Sequence, residues 1–476
     1  MNARRAVLIF ICGAVTGCAA GRPAVQPALL SEAPLAGTEL PAGGQWPASN
    51  WWQRYQDATL DQLVVTALAD SPTLAAAQAR FDSARESVHI TAAAVGAHVD
   101  ANAQAERQRL SDNGLFSPRF LGFSWYSQAD LGLSASYTFD WWGKQRASVE
   151  AATNEAHAVA ADRMEAALVL ASAVADTYFG WQADQARLAL VQDRIATLTR
   201  LGTIAEERLR AQIDGADEHS RVAADLAAAR GQLAGLHGSA QLRLVALAAL
   251  TGHAAAQLPP LEAKPLPVLP AAVPERIRLD LLSRRPDITA SRWRVEAAQR
   301  RRHVAAAQYY PDISFKALVG LQSIELGKLL RAGSATPLIG AAIHLPLFDN
   351  GLRAAQLGVT AAEVSAAIAI YNDAIVSAAR EVASSVVAGE QAAAERVQQL
   401  AGLQATTELQ HSAAARARQG LTDIRPTLNA QYAVLMQREV LAQLDAAGLS
   451  ADIALQRALG GGFEDSPRTI GSTHAP

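Results

Sequence analysis

Asp214, Asp217 and Glu218 crowd one short stretch, R-A-Q-I-D-G-A-D-E-H-S, with Arg208 and Arg210 just before the aspartates. Asp423, Arg425 and Asn429 occupy a second, R-Q-G-L-T-D-I-R-P-T-L-N, with Arg416 and Arg418 before them. Both stretches interrupt long helix-like segments, so the chemistry they offer is ionic and hydrogen-bonding contact at a turn; a merely solvated turn is the alternative reading. No catalytic constellation accompanies them: H-E-x-x-H, G-x-S-x-G and a phosphate-cradling glycine loop are all missing. The ten histidines are scattered. His89 and His303 fall at equivalent places in a repeat, which suits helix packing better than metal binding. Beyond the first residue the methionines are Met164 and Met436, too few for a copper ladder. The expectation is a protein with no enzymatic turnover, no metal and no cofactor.

The other reactive group is a thiol. There are two cysteines, Cys12 and Cys18, so no disulfide framework is available downstream. Arg4 and Arg5 precede an apolar run from Ala6 to Val15, too short for a bilayer span of about 20 residues and read as a secretory signal. Its end, Val15-Thr16-Gly17-Cys18, resembles a bacterial lipobox. That resemblance implies cleavage after residue 17, a diacylglycerol thioether on Cys18 and an amide-linked acyl chain, a firm anchor because single chains bind only marginally. Ala19 after the cysteine then favours the outer membrane. A plain signal peptide is the competing reading.

A third set of polar residues alternates with apolar ones. Asp100, Asn102, Gln104 and Glu106 interleave with Val99, Ala101, Ala103 and Ala105, and Asp130 lies in a second run carrying Leu131, Leu133, Tyr137 and Phe139. Period two means a strand with one polar and one apolar face. A later pair of runs repeats the theme, with Phe315 and Val319 in one and Ile343 in the other. A soluble sandwich hairpin would also alternate. Against it, the apolar sets extend over about ten residues, the length of a tilted membrane strand. Aromatics also collect at both ends: Trp141, Trp142, Tyr309, Tyr310 and Phe348 at one level, Phe116, Phe120, Phe123, Trp125 and Tyr126 near the other. Such girdles mark membrane interfaces.

The elements that position these residues come in two copies. Pro72, Arg80, Ala84, His89 and Ala92-Ala93 fall on Pro286, Arg294, Ala298, His303 and Ala306-Ala307 at an offset of 214; later Gly143, Val174 and Gly252 fall on Gly351, Val382 and Gly460 at 208. Each copy runs from a helix into a strand hairpin and then into a proline-free helical rod, Lys144 to about Arg210 and Leu352 to about Gln419. At 1.5 Å per residue such a rod is about 100 Å long. Met164, Leu168, Ala171, Ala175 and Tyr178 trace an apolar stripe on the first. The expected divisions are a signal peptide over 1–17, an acylated tether over 18–60, a first repeat over 61–257 with its hairpin at about 97–140, a proline-rich stiff linker over 258–275, a second repeat over 276–460 with its hairpin at about 311–348, and a disordered tail over 461–476.

Half of the 476 residues are apolar but aromatics are only 5%, and net charge is −3. This suits close-packed alanine-rich helices and gives no electrostatic case for nucleic acid. No later run of 18 consecutive apolar residues appears, so a membrane crossing would be made by strands. Four strands cannot close a barrel, and an open edge in lipid leaves backbone groups unpaired at several kcal/mol each. Several chains must therefore join: two would give eight strands, three twelve with room for a lumen.

Taken together, the doubled pattern, the lipobox, W-W-Q-R-Y-Q-D-A-T-L-D-Q-L-V-V-T-A-L-A-D-S-P-T-L-A-A-A-Q-A-R, R-R-P-D-I-T-A-S-R-W-R-V-E-A-A and P-L-F-D-N-G-L-R-A-A resemble outer-membrane efflux factors of the TolC/OprM kind, especially NodT-group lipoproteins, over about residues 18 to 462. The resemblance implies an α+β membrane protein: a homotrimer with a 12-stranded transmembrane β-barrel, four strands per chain, continued by a long α-helical periplasmic barrel. It implies a passive exit duct for drugs or small toxic compounds, docked to a periplasmic membrane-fusion adaptor and energised by an inner-membrane RND or MFS pump. Asp100, Asn102, Gln104, Glu106 and Asp130 would face the lumen, and Leu131, Leu133, Phe315, Val319 and Ile343 the lipid. The two turns would form the periplasmic gate. Pro426 and Asn429 stand where the family's second turn usually carries acidic residues, so an Asp423–Arg425 contact or an Asn429 ring would replace an acidic one. Two other functions remain open at this point: a type I-like protein secretion duct and a lipid-anchored periplasmic coiled-coil scaffold.

Overall fold

A computed structural model describes residues 26–35, 44–114, 117–267, 274, 281 and 283–464. The chain forms two compact units, one built mainly on Asp82–Ala158 and Arg292–Ile370, the other on Leu29–Phe81, Val159–Ser291 and Tyr371–Pro476. In chain order the elements are α1 (Ala58–Asp70), α2 (Pro72–Ala94), β1 (His98–Arg109), β2 (Trp125–Phe139), α3 (Lys144–Arg210), α4 (Ala216–Thr251), α5 (Pro286–Ala307), β3 (Asp312–Ser323), β4 (Leu338–His344), α6 (Leu352–Arg418) and α7 (Arg425–Ala458). The repeat is borne in the lengths: α3 and α6 each have 67 residues, and β1 and β3 each have 12.

In the first unit the four strands make one antiparallel sheet in the order β1-β2-β3-β4. Both hairpins lie where the alternation placed them, but β4 stops at His344 instead of reaching Leu347. Pro346 has no N–H to give a ladder, which ends the strand. At its other end the β3–β4 register continues through a bridge between Leu321 and Ala335, interrupted by Pro337. Where β2 crosses β3, Gly132 stands opposite Gly320. A Cβ on Gly320 would lie 2.9 Å from the Leu131 carbonyl, so the close approach of these two strands needs glycine there.

The strands hand over to the long helices through short carboxylate-capped turns. Asp140 accepts bonds from the Gln145 and Arg146 amides, both at 2.9 Å, and Asp349 accepts from Gly351 and Arg353. These caps satisfy amides that a helix start leaves unpaired. Gly143 and Gly351, matched in the repeat, both have positive φ, +72° and +84°. That left-handed conformation is what glycine alone adopts without strain. Arginines of the repeated stretch on α5 reach α3: Arg294 and Arg301 pair with Glu155, and Arg300 pairs with Glu150.

Within the second unit, Trp51, Trp52, Tyr55, Leu60, Leu63 and Val64 pack on Leu168, Ala171, Val174, Ala175 and Tyr178 of α3, with Leu247 of α4 and Leu449 and Ile453 of α7. Several expected boundaries change here. Trp51, Trp52, Tyr55 and Leu60, within the stretch assigned to the tether, belong to the core, because they bury too much apolar surface to stay free. Met164 is exposed and leaves the apolar stripe, which begins at Leu168. The described part of the linker is strapped down rather than spacing two halves. Gln182 donates to the Glu262 carbonyl and accepts from the Lys264 amide, both at 2.8 Å, while Lys264 Nζ meets Asp57 at 2.8 Å. Leu258, Leu261 and Leu266 pack against core clusters. Residues 461–464 are ordered parts of the body, not tail: Gly461 and Gly462 have positive φ, and a Cβ on Gly462 would strike the Ala48–Ser49 backbone at 2.2–2.4 Å. The remainder of the expected tail lies outside the described residues.

No run of 18 consecutive apolar residues occurs in the long helices, as expected from the sequence. By length and composition alone α4 and α6 each contain an 18-residue window of mean hydropathy 1.3. Alanine supplies much of that hydropathy, and charged residues interrupt the apolar runs.

Candidate channel wall and gate

The sheet register sorts the alternating residues into two faces. Directly paired residues of antiparallel strands share a face, and the pairs Ala101–Leu133–Val319, Ala103–Leu131–Leu321 and Tyr137–Phe315–Ala341 run across the strands. Leu131, Leu133, Phe315, Val319 and Ile343 therefore lie on one face, with Leu133, Val319 and Ile343 at 57, 69 and 71% exposure. On the other face the register aligns Gln104–Asp130–Gln322, Glu106–Gln128 and Asn102–Gly132–Gly320, and Asp100 with Ser134. The glutamine amides hold the acids in place: Gln128 donates to Asp130 at 3.0 Å and Gln104 to Glu106 at 3.3 Å. An apolar face this exposed, backed by a polar one, is not the surface of a water-soluble chain. At one edge of the apolar band, Trp142 stacks on Tyr310 with ring centres 4.8 Å apart and donates from Nε1 to the Pro311 carbonyl. At the other, Arg107 lies over Trp125. Phe116 lies outside the described residues.

The second candidate site is the pair of turns. The α3–α4 turn is closed by Arg208, whose Nε and Nη2 grip Asp214 at 2.6 and 2.9 Å. Arg425, at the start of α7, donates to Asp423 at 2.8 Å and to Asp214 at 3.0 Å. Asp214 thus sits between two guanidinium groups and joins the turn of the first repeat to that of the second. The Arg208 hydrogen bond foremost, with the Arg425 charge, holds the Asp214 carboxyl below the usual carboxylate range. Arg425 does the same for Asp423, and Arg221 for Glu218. All three carboxylates are ionised at neutral pH.

Not every expected residue joins. Glu218 is taken by Arg221 at 2.6 Å on its own helix. Asp217 and Asn429 are exposed and make no side-chain hydrogen bond among the described residues. Asp214, Asp423 and Arg425 form the site, and Arg208, which the sequence placed just before the first turn, completes it. Cys18 lies outside the described residues.

Deeper between the helices is a group that the sequence did not announce. Glu439 of α7, 4% exposed, binds Arg194 at 2.9 Å and Arg187 at 3.2 Å, both on α3, and Gln232 of α4. A buried pair such as this resists loss of one partner far more than an exposed one does, so it welds α7 to α3 and α4. Its parts lie about 245 residues apart in the chain, and nothing local marks them.

Comparison with known proteins now decides the family. The outer membrane efflux protein family model matches residues 63–253 and 279–461, one block for each repeat. The chain belongs to the outer membrane efflux protein family. It is 30% identical over 433 residues to multidrug resistance outer membrane protein MdtP of Escherichia coli K12, covering 90% of this chain and 89% of that one. To the putative multidrug resistance outer membrane protein MdtQ of Shigella flexneri it is 32% identical over 468 residues, covering 94% and 96%. Among solved structures it is similar to the outer membrane protein VceC of Vibrio cholerae, with TM-score 0.78 and 33% identity over 88% of this chain and all of that one. The outer-membrane channel OprN gives TM-score 0.82 at 25% identity, covering 92% and 99%.

As an outer membrane efflux protein, the chain is an outer-membrane channel component of an efflux system. The reading as a periplasmic scaffold whose hairpins pair in solution is thereby set aside. The family consists of channel proteins.

Proposed function

We propose that this outer membrane efflux protein works as a homotrimer in which the exposed edges of the sheet, β1 of one copy and β4 of the next, join to close a twelve-stranded barrel. The observation that carries this reading is the four-stranded sheet with one apolar face, one polar face and two edges without a strand partner among the described residues. In hydrocarbon such edges cost several kcal/mol per unpaired group, and closure removes the cost. The polar face of Asp100, Asn102, Gln104, Glu106 and Asp130 then lines the lumen, and the apolar face of Leu131, Leu133, Phe315, Val319 and Ile343 meets lipid.

The Arg208–Asp214–Arg425–Asp423 contact closes the periplasmic entrance. It is solvent-exposed, so each link is weak by itself, and three copies make a lock that a periplasmic membrane-fusion adaptor outcompetes by binding the open form. The duct is passive, with no enzymatic turnover and no cofactor, and an inner-membrane pump of the RND or MFS class supplies the energy. Cargo is drugs or small toxic compounds, a reading supported by the names of the MdtP and MdtQ relatives. Cys18 carries the acyl chains that anchor the N-terminus to the outer membrane.

Spin labels placed at Leu131, Leu133, Phe315 and Asp100 in the reconstituted protein test the arrangement. The first three give hydrocarbon-like, oxygen-accessible signals and the label at 100 a water-accessible one; a water-accessible signal at all four overturns it. Heat-modifiable trimers on a gel and single-channel conductance are expected from the same preparation. Cys18→Ser is expected to remove the acyl chains and change both mature mass and detergent partitioning, and unchanged values refute lipidation.

A further inference from the structure

The loop between β3 and β4 is held in a fixed shape. Two 3-10 turns, Leu326–Lys328 and Ala332–Ser334, follow one another. Ser323 Oγ donates to the Glu325 carbonyl and Ser334 Oγ to the Lys328 carbonyl, both at 2.8 Å. The Thr336 amide donates to Gly320 at 2.8 Å, and Ser334 is buried. This loop leans toward the polar side of the sheet: Lys328, Arg331 and Ser334 share one open concavity with Gln128 and Gln322, which are polar-face residues. Lys328 is neutralised by Glu325 at 2.7 Å. Arg331 is exposed, and its guanidinium makes no hydrogen bond or ion pair among the described residues.

Directly along the strands from this concavity, the polar face carries Asp130 and Glu106, each held by a glutamine. Of the other basic groups of that end, Arg107 is opposite in parity and lies over Trp125, Arg109 pairs with Asp112, and Arg119 is exposed in the β1–β2 loop and does not line the concavity. Lys316 is on the polar face but in register with Ser136 and Gly340, toward the opposite end of the strands from Asp130. Unbalanced charge thus changes sign along the sheet, from an acidic band at Asp130 and Glu106 to a basic rim at Arg331.

We propose that Arg331 is a selectivity residue of the outer mouth, forming with Asp130 and Glu106 a two-zone charge filter. This rests on the reading that the polar face lines the duct. Three copies set a ring of three guanidinium groups beyond a ring of six carboxylates. In a water-filled lumen with low-dielectric walls, fields from such rings are focused on the axis. A strongly anionic solute is opposed at the acidic band and a strongly cationic one at the rim, so neutral or zwitterionic amphipathic molecules are the class that passes with least hindrance. Charge zones of opposite sign in series also make small-ion current depend on the direction of the voltage.

The test is electrical, on the full-length protein in planar bilayers, in symmetric 0.1 M KCl for the voltage dependence and under a KCl gradient of about that concentration for the reversal potential, where fields reach about 10 Å. Wild type is expected to give a current that differs with the sign of the voltage. Arg331→Gln should raise the potassium-to-chloride permeability ratio about twofold and Arg331→Glu more, whereas Asp130→Asn with Glu106→Gln should lower it by a similar factor. Arg107→Gln, on the apolar face, is expected to leave it unchanged. At 1 M KCl, with fields cut to about 3 Å, the differences should collapse. Channels that conduct but show the same reversal potential for wild type and both Arg331 variants overturn the inference, as does a change in conductance without a change in reversal potential, which makes the loop a steric rim only. All variants are compared in an Arg425→Ala background, expected to release the periplasmic lock; absence of any conductance there would instead refute the channel reading beneath the inference.

Discussion

Arg425 Nη1 lies 3.0 Å from Asp214 Oδ2, although 211 residues separate them in the chain. The bond joins the turn of one repeat to that of the other, at a carboxylate already held by Arg208. No other ion pair among the described residues joins the two turns. Opening the entrance by moving one helical hairpin away from the other therefore has to break it.

Removing this bond should favour the open form. Arg425→Ala or Asp214→Asn removes a contact that is weak in one copy because its groups are solvent-exposed. Repeated over three copies, the loss should raise the open-to-closed ratio severalfold. Single-channel recording should show longer or larger openings. Asp217→Asn, which breaks no contact, should behave as wild type. Because Asp214 and Asp423 are held below the ordinary carboxylate range, the contact is intact at neutral pH and is lost only as pH falls through that lowered range. Conductance should stay flat from pH 7 to about 5 and rise only in stronger acid, below the unperturbed aspartate value of about 3.9. A rise already between pH 7 and 6 would exclude these carboxylates as the lock.

Glu165 of α3 predicts the opposite pH trend for stability. Burial foremost, with the Asp287 charge, pushes its carboxyl up to about 7, against the partial relief of Arg285 and Arg457. A folded value above the unfolded one means that its contribution is fully present below about pH 4.3 and is lost as pH rises through 7. Glu165→Gln should therefore raise the melting temperature of the detergent-solubilised protein at pH 8 and have little effect at pH 5. Equal shifts at both pH values would show that titration of Glu165 is not the cause.

Two glycines with similar φ should differ sharply in their tolerance of alanine. At Gly351, φ is +84° but an added Cβ meets nothing within 4 Å, so only the left-handed backbone is strained, at about 1–2 kcal/mol. At Gly460, φ is +89° and the Cβ would fall 1.8 Å from the Arg284 carbonyl oxygen. Gly351→Ala should assemble with a modestly lower melting temperature. Gly460→Ala should fail to give stable protein in the outer-membrane fraction. Equal yields would mean that the Arg284 backbone gives way easily.

Leu133 and Ser134 are neighbours on opposite faces of β2. Leu133→Arg puts a charge on the apolar face and should cost about 2–4 kcal/mol near the bilayer centre. Ser134→Arg projects into the polar side and should still insert. Heat-modifiable assembly measured for both variants separates them, and equal damage would contradict the assignment of faces.

The division between local and long-range information explains which expectations stood. Alternation in β1 to β4, the proline-free rods of α3 and α6 and the paired glycines Gly143 and Gly351 each depend on a few neighbouring residues, so they were legible in the chain. Burial of Trp51 and Trp52, the strapping of the linker by Gln182 and the order at Gly461 and Gly462 were not. Each depends on what distant segment stands opposite.

The same rule applies to the functional residues. The sequence by itself determined that four strands would each have a greasy and a wet side, because side chains alternate along any strand. It also marked the two charged turns. Only the tertiary structure decided that the four greasy sides share a face, since one residue of slippage between strands would have mixed them. It alone made Asp214 the meeting point of Arg208 and Arg425 and laid Arg331 beside the polar face. A partner hundreds of residues away is selected by packing and electrostatics in three dimensions, and these leave no periodic trace in the chain.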